Sequence, residues 1–163
     1  MVEIIIIVGI ADNNIIGKDG KIPWDVPEDF AHFKGLTIGH PCIMGDKTYN
    51  DLPIKPLPGR ENIVLSFDKD YAPEGITVKN SWEEALEYCE NKQKVFICGG
   101  ASIYKLALPI ADTFELTRIH QEPEGDTSFP EIDWSEWKLH EKEEHPGYTF
   151  ETYKRIKKSD DTE

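Results

Sequence analysis

The segment Ile22-Pro-Trp-Asp-Val-Pro-Glu-Asp-Phe30 holds three acids within five residues, and helix spacing tells them apart. Pro27 suits the first position of a helix, and the pattern carries that helix to about Thr37. Residues three and four apart share a helix face. Asp29 therefore lines up with Phe33 and Leu36, whereas Glu28 lines up with His32 on the other side. A carboxylate set among Phe30, Phe33 and an isoleucine-rich strand loses hydration, which raises its pKa. Such groups do acid–base work. The alternative is plain compensation of the helix dipole, since Asp is favoured in a first turn.

Two segments have the form strand, glycine, helix: Met44-Gly-Asp-Lys-Thr48 and Ile97-Cys-Gly-Gly-Ala-Ser102. At each, free N–H groups at the start of a helix can face a phosphate. In an open α/β sheet such junctions lie at the carboxyl edge, where ligands bind. Neither matches a dinucleotide fingerprint or a P-loop, so a tight turn explains either one equally well. Arg60, one of three arginines, sits on the turn Leu57-Pro-Gly-Arg60. Its planar fork suits a ligand carboxylate, or an ordinary surface ion pair. Taken alone, Gly125-Asp-Thr-Ser-Phe-Pro130 reads as a turn.

The elements that must position these residues alternate. Strands are expected at 2–10, 41–45, 62–66, 76–79, 94–98 and 114–119. Helices are expected from Pro27, from about Asp46, from Ser81 and over 101–107. Ser81 with Glu84 forms a capping box, and Trp82, Ala85, Leu86 and Cys89 mark that helix's inner face. Residues 11–26 read as a long loop. Strands at 137–144 and 148–156 form a hairpin across His145-Pro146-Gly147. This order predicts an α/β fold with a mainly parallel sheet and an antiparallel C-terminal edge.

With 163 residues and no repeat or compositional break, the chain suits one domain, over 1–157, followed by a polar tail, 158–163. The run Ile4 to Val8 is far shorter than the roughly 20 residues that span a membrane. Glu3 before it and Asp12 after it also argue against a signal peptide. Cys42, Cys89 and Cys98 form no C-x-x-C pair and have no histidine at zinc spacing. They read as reduced thiols of a cytoplasmic protein, with no metal site. A formal net charge of −13 disfavours nucleic-acid and membrane-surface partners.

Across nearly the whole chain, eight segments in order resemble the dihydrofolate reductases. They are Ile15-Ile-Gly-Lys-Asp-Gly-Lys-Ile-Pro-Trp24, the Pro-Glu-Asp-Phe helix with Phe33, Ile43-Met-Gly-Asp-Lys-Thr-Tyr49, Leu57-Pro-Gly-Arg60, Asn62-Ile-Val-Leu-Ser66, Ile97-Cys-Gly-Gly-Ala-Ser-Ile-Tyr104, Leu116-Thr-Arg-Ile119 and Glu124-Gly-Asp-Thr-Ser-Phe-Pro130. The related reductase domain of riboflavin biosynthesis shares the fold but lacks the Pro-Trp-x-x-Pro-x-Asp segment. A non-catalytic folate-binding module is disfavoured by the retention of Trp24, Asp29, Arg60 and Thr117.

The resemblance implies an eight-stranded, mainly parallel, three-layer sheet fold. It also implies hydride transfer from NADPH to 7,8-dihydrofolate in a monomer. Asp29, helped by Thr117, would hold the pterin's 2-amino group and N3. It would favour protonation of N5 through water rather than by direct transfer. Trp24 would hold that water, and Phe30 and Phe33 would cover the ring. Leu52 and Leu57 would line the aminobenzoyl group, and Arg60 would take the α-carboxylate. Carbonyls of Ile7 and Cys98 would border the pterin slot. The loop 15–24 would close over the nicotinamide with Ile22 at its tip, tethered by Asp126. The cofactor would run past Gly9, Ile16, Gly17 and Gly20, then Gly45, Lys47 and Thr48, and then Leu65, Ser66 and Lys79. A cis Gly99-Gly100 peptide and the helix starting Ala101, Ser102, Ile103 and Tyr104 would complete its cradle.

One departure concerns the adenosine end. Asp46 stands where the family usually has a basic residue for the 2′-phosphate, Phe67 and Asp68 replace common contacts, and Ser102 stands where some members carry arginine. An acid within about 4 Å of a phosphate costs roughly 1–4 kcal/mol. The expectation is NADPH as cofactor, with weakened discrimination against NADH unless Lys47, Lys69 or Lys79 compensates.

Overall fold

A computed structural model describes residues 1–156 of the chain. The polar tail expected at 158–163 lies outside the described residues. Ten strands, four helices and one short 3-10 turn follow in sequence. They are β1 (Glu3–Ala11), β2 (Ile15–Gly17), α1 (Pro27–Thr37), β3 (Pro41–Gly45), α2 (Asp46–Asn50), β4 (Glu61–Leu65), β5 (Thr77–Lys79) and α3 (Trp82–Cys89). β6 (Lys94–Ile97), α4 (Ala101–Ala107), β7 (Thr113–Ile119), β8 (Thr127–Ser128), β9 (Trp137–His145) and β10 (Tyr148–Arg155) complete the chain, with the 3-10 turn at Trp134–Glu136.

Eight strands form one sheet in the order β5-β4-β3-β6-β1-β7-β10-β9. The first six are parallel, and β10 pairs antiparallel with both β7 and β9. β1 is central because its isoleucine run can bury both faces. Ile6, Val8 and Ile10 pack on the side of α3 and α4, against Ile97, Ala85, Cys89 and Phe114. Ile5 and Ile7 face the other way, toward Met44, Phe33 and Leu57. Each fully buried aliphatic side chain of this kind contributes about 1.5–3 kcal/mol relative to exposure.

Register fixes what lies beside what. Gly9 of β1 pairs with Thr117 of β7, and Ile6 of β1 pairs with Ile97 of β6. The ends of β3 and β6 therefore meet at the carboxyl edge, where the Gly45 amide donates to the Gly99 carbonyl at 2.9 Å.

Helix boundaries follow their local signals. Pro27 opens α1 without a side-chain cap. Ser81 caps α3, its hydroxyl accepting from the Glu84 amide at 3.1 Å. The expected long loop at 11–26 is only partly irregular. β2 lies within it and pairs with β8, forming a separate two-stranded ribbon. Strands of three and two residues are too short to leave an alternating pattern, which is why the sequence reads only as loop and turn there.

Candidate active site

Asp29 stands in the first turn of α1, half-buried, at the carboxyl end of the central strands. Thr117 donates to its Oδ1 at 2.6 Å. On the other side the carboxylate rests against Gly9. A Cβ at Gly9 would lie 3.2 Å from Asp29 Oδ2 and 3.0 Å from Trp24 Cζ2. The site is thus a carboxylate, a hydroxyl and an indole gathered over a strand that carries no side chain at that point. Burial pushes the Asp29 carboxyl above its ordinary value, while the Thr117 hydrogen bond and the nearby His32 pull the other way.

Phe30 departs from the expectation. It is 52% exposed, so it does not bury Asp29. One residue further round the helix places it about 100° away from the inward face. Trp24, Gly9 and Thr117 provide the enclosure instead. His32 supplies a contribution that the sequence pattern had given to the Glu28 side. Its ring stacks on Phe150 at 3.8 Å, and it lies close enough to favour the ionised form of Asp29. The i, i+3 spacing from Asp29 was the available signal.

Beyond Asp29, Phe33, Leu36, Leu52, Leu57 and Cys98 pack as a partly buried group against Ile5, Ile7, Cys42 and Met44. Arg60 borders this apolar wall. Its Nη1 donates to Thr37 at 3.2 Å, its Nε donates to the Pro58 carbonyl at 2.9 Å, and its guanidinium lies 5.8 Å from the Phe33 ring. Among the described residues it pairs with no carboxylate. The ion-pair alternative for Arg60 therefore has no partner here. The thiols are all free. Burial pushes Cys89 up to about 11, and hydrogen bonding with Cys42 and burial together push Cys98 well up. Neither offers a thiolate nucleophile.

On the other flank of Asp29 the glycines make a bare floor. A Cβ at Gly100 would meet Thr48 Oγ1 at 3.3 Å, and one at Gly45 would meet Ile103 at 3.5 Å. The Gly99–Gly100 peptide is cis. Tyr104 lies beneath this floor rather than on it. Its buried hydroxyl donates to the Ile7 carbonyl at 2.9 Å, and its ring borders Gly99. Ile103 is likewise buried, so neither side chain faces the cleft. Ala101 and Ser102 open α4, and Lys47 and Thr48 lie in α2 across from it. Leu65 ends β4 and Ser66 follows it, both buried, and Lys79 ends β5.

The loop before α1 is held from the side. Asp126 accepts from the Asp19 amide at 2.9 Å, and its own amide donates to the Gly17 carbonyl at 3.1 Å. The bond from the Asp19 amide, with one from the Thr127 hydroxyl, holds the Asp126 carboxyl below its ordinary value. Ile16 and Gly17 belong to β2, Gly20 turns with φ of 78°, and Ile22 is 47% exposed beside Pro23.

At the carboxyl edge of the α/β sheet these groups form a glycine-floored cleft beside an apolar slot headed by a carboxylate. A profile of the family described as dihydrofolate reductase matches residues 3–155. The dihydrofolate reductase of Neisseria gonorrhoeae is 44% identical over 159 residues, covering 94% of this chain and 98% of that one. The dihydrofolate reductase of Bacillus subtilis is 45% identical over 127 residues, covering 78% and 75%. The structure of dihydrofolate reductase from Enterococcus faecalis complexed with NADP(H) and RAB-propyl superposes with a TM-score of 0.89. It is 36% identical and covers 95% of this chain and 97% of that one. The chain belongs to the dihydrofolate reductase family. Among the described residues, no helix is long and apolar enough to cross a membrane.

Proposed function

We propose that this chain reduces 7,8-dihydrofolate to 5,6,7,8-tetrahydrofolate with NADPH, as a cytoplasmic monomer serving one-carbon metabolism. The observation that carries the reading is the Asp29–Thr117 pair at 2.6 Å over Gly9. The 2-amino group and N3–H of a pterin are neighbouring donors, and an ionised carboxylate accepts from both. The Thr117 hydrogen bond favours the ionised form of Asp29 against the cost of burial and fixes the carboxylate's rotation. Asp29 has no proton to give while it serves as that acceptor. Its charge instead favours the protonated form of N5, with water as donor beside Trp24. Phe30, Phe33, Leu52 and Leu57 would take the ring and aminobenzoyl group. Arg60, held in place by Thr37 and Pro58, would take the tail carboxylate. Carbonyls of Ile7 and Cys98 would border the slot.

The reduced nicotinamide supplies a hydride when bound. Gly9, Ile16, Gly17, Gly20 and Ile22 would enclose that ring and exclude water. Gly45, Lys47, Thr48, Gly99, Gly100 and the backbone of 101–104 would hold the pyrophosphate, where the missing Cβ atoms let backbone approach closely. Leu65, Ser66 and Lys79 would meet the adenosine.

The test is the fall in nicotinamide absorbance with dihydrofolate and NADPH. Asp29→Asn keeps the shape of the side chain, loses the charge, and should remove most turnover at neutral pH while the protein still folds. Undiminished turnover in that variant would show that the carboxylate has been misassigned.

A further inference from the structure

The far half of the cofactor cleft carries an acid where a phosphate would need a cation. This rests on the function proposed above. A dinucleotide with its ring at Gly9 of β1 and its pyrophosphate between the ends of β6 and β3 must place its adenosine outside β3, β4 and β5. Adjacent strands are about 4.8 Å apart, so no other stretch of the edge remains in that direction. The residues there are Asp46, the first after β3, Ser66 and Phe67, the first two after β4, and Lys79, the last of β5.

The hydrogen bonds give this corner a polarity. The buried Ser66 hydroxyl donates to Asp46 Oδ2 at 2.7 Å. Its oxygen lies 3.3 Å from the Asp68 amide, and the Ser66 carbonyl accepts from Asn80 at 2.8 Å. The serine proton is therefore committed to the acid. Asp46 Oδ1 makes no hydrogen bond among the described residues.

Among the described residues, none of Lys47, Lys69 and Lys79 forms an ion pair with Asp46. The Lys79 ammonium sits 4.7 Å from the centre of the Tyr88 ring. Lys47 lies near enough to Asp126 to help hold that carboxyl down. Lys69 is flanked in sequence by Asp68 and Asp70.

We infer that Asp46, oriented by Ser66, is a specificity-determining residue that accepts from a free ribose 2′-hydroxyl, so that NADH serves beside NADPH. A hydroxyl donates to the unused Oδ1. A 2′-phosphate brings only acceptors and negative charge to the same atom. Phe67, 82% exposed, leaves an open aromatic face at the same corner.

Binding of two adenosine fragments tests this without turnover. Adenosine 2′,5′-bisphosphate and adenosine 5′-monophosphate differ only in the 2′-phosphate, and calorimetry gives their affinity ratio in the full-length wild type, Asp46→Asn and Asp46→Arg. Removing one opposing charge should shift the ratio toward the bisphosphate by about fivefold or more in Asp46→Asn, and by about a hundredfold in Asp46→Arg. An Asp46→Asn ratio that shifts by less overturns the inference, and that near-isosteric variant decides the matter if Asp46→Arg fails to fold. In steady state, wild-type kcat/KM should favour NADPH over NADH by less than about a hundredfold, and a larger preference overturns the inference. Absence of turnover with either cofactor would refute the reductase reading, whereas the fragment ratios would still decide the role of Asp46.

Discussion

Thr117→Val removes one hydroxyl and keeps a β-branched side chain suited to the strand. In the wild type that hydroxyl is buried and donates to Asp29 at 2.6 Å. A hydrogen bond to a charged group contributes about 1.5–3 kcal/mol. Its loss should therefore lower kcat/KM for dihydrofolate roughly tenfold to a hundredfold at neutral pH.

The pH dependence is more telling. Burial already raises the Asp29 carboxyl, and Thr117 opposes that rise. Without Thr117 the carboxyl rises further. The ionised acceptor is then lost at a higher pH, and the acidic limb of kcat/KM moves upward. Stability follows by linkage. A carboxyl raised on folding binds its proton more tightly in the folded state, so ionised Asp29 destabilises the fold above its folded pKa. That penalty is relieved as pH falls through the raised value and is gone below the unfolded one. Thr117→Val should hence melt below wild type at neutral pH, and the gap should narrow on acidification.

Full pH–rate profiles with melts at several pH values check both. A uniform loss of rate with an unmoved acidic limb would mean that Thr117 acts on the substrate alone, and the reasoning would fail.

Three further outcomes are expected. Gly9→Ala should lose about 1–3 kcal/mol by overpacking, since its Cβ would press on Trp24 and Asp29; denaturant melts and kcat/KM for dihydrofolate should fall together, and an unaffected variant would mean that the floor is not tight. Asp126→Ala should free the Asp19 amide, giving faster hydrogen exchange there and a lower kcat, with the sheet unaltered; unchanged exchange would exclude Asp126 as the tether. Ser81→Ala should cost about 1 kcal/mol and lower Tm by roughly 2–4 °C with normal turnover, because the Ser81 hydroxyl bonds only to Glu84 within its own helix.

Much of the fold was legible because its signals are local. The isoleucine run of β1, Pro27 at the start of α1 and Ser81 before α3 each act within a few residues, and each element formed where its signal stands. The β2–β8 ribbon was not legible. Its pairing joins segments more than a hundred residues apart through strands of three and two residues, and nothing local marks either one. Phe30 and Tyr104 show the same limit for side chains. Helix spacing gives a direction around one axis, but exposure depends on what other elements lie there. Phe30 meets little, whereas Tyr104 runs under Gly99 to the Ile7 carbonyl.

The sequence by itself determined which acid could matter. Spacing along α1 separates Asp29 from Glu28, and the ordered segments carry the family resemblance. Only the tertiary structure decided what surrounds that acid. The β1–β7 register brings Thr117 beside Gly9, 88 residues along the chain from Asp29, and so gives the carboxylate a donor and a bare strand to lie on. The same holds at Asp46. The sequence supplies an unexpected acid, but only the fold of β4 beside β3 commits the Ser66 proton to it and turns Lys79 toward Tyr88. Charge is a property of a residue. What that charge does depends on distances that strand order and register set.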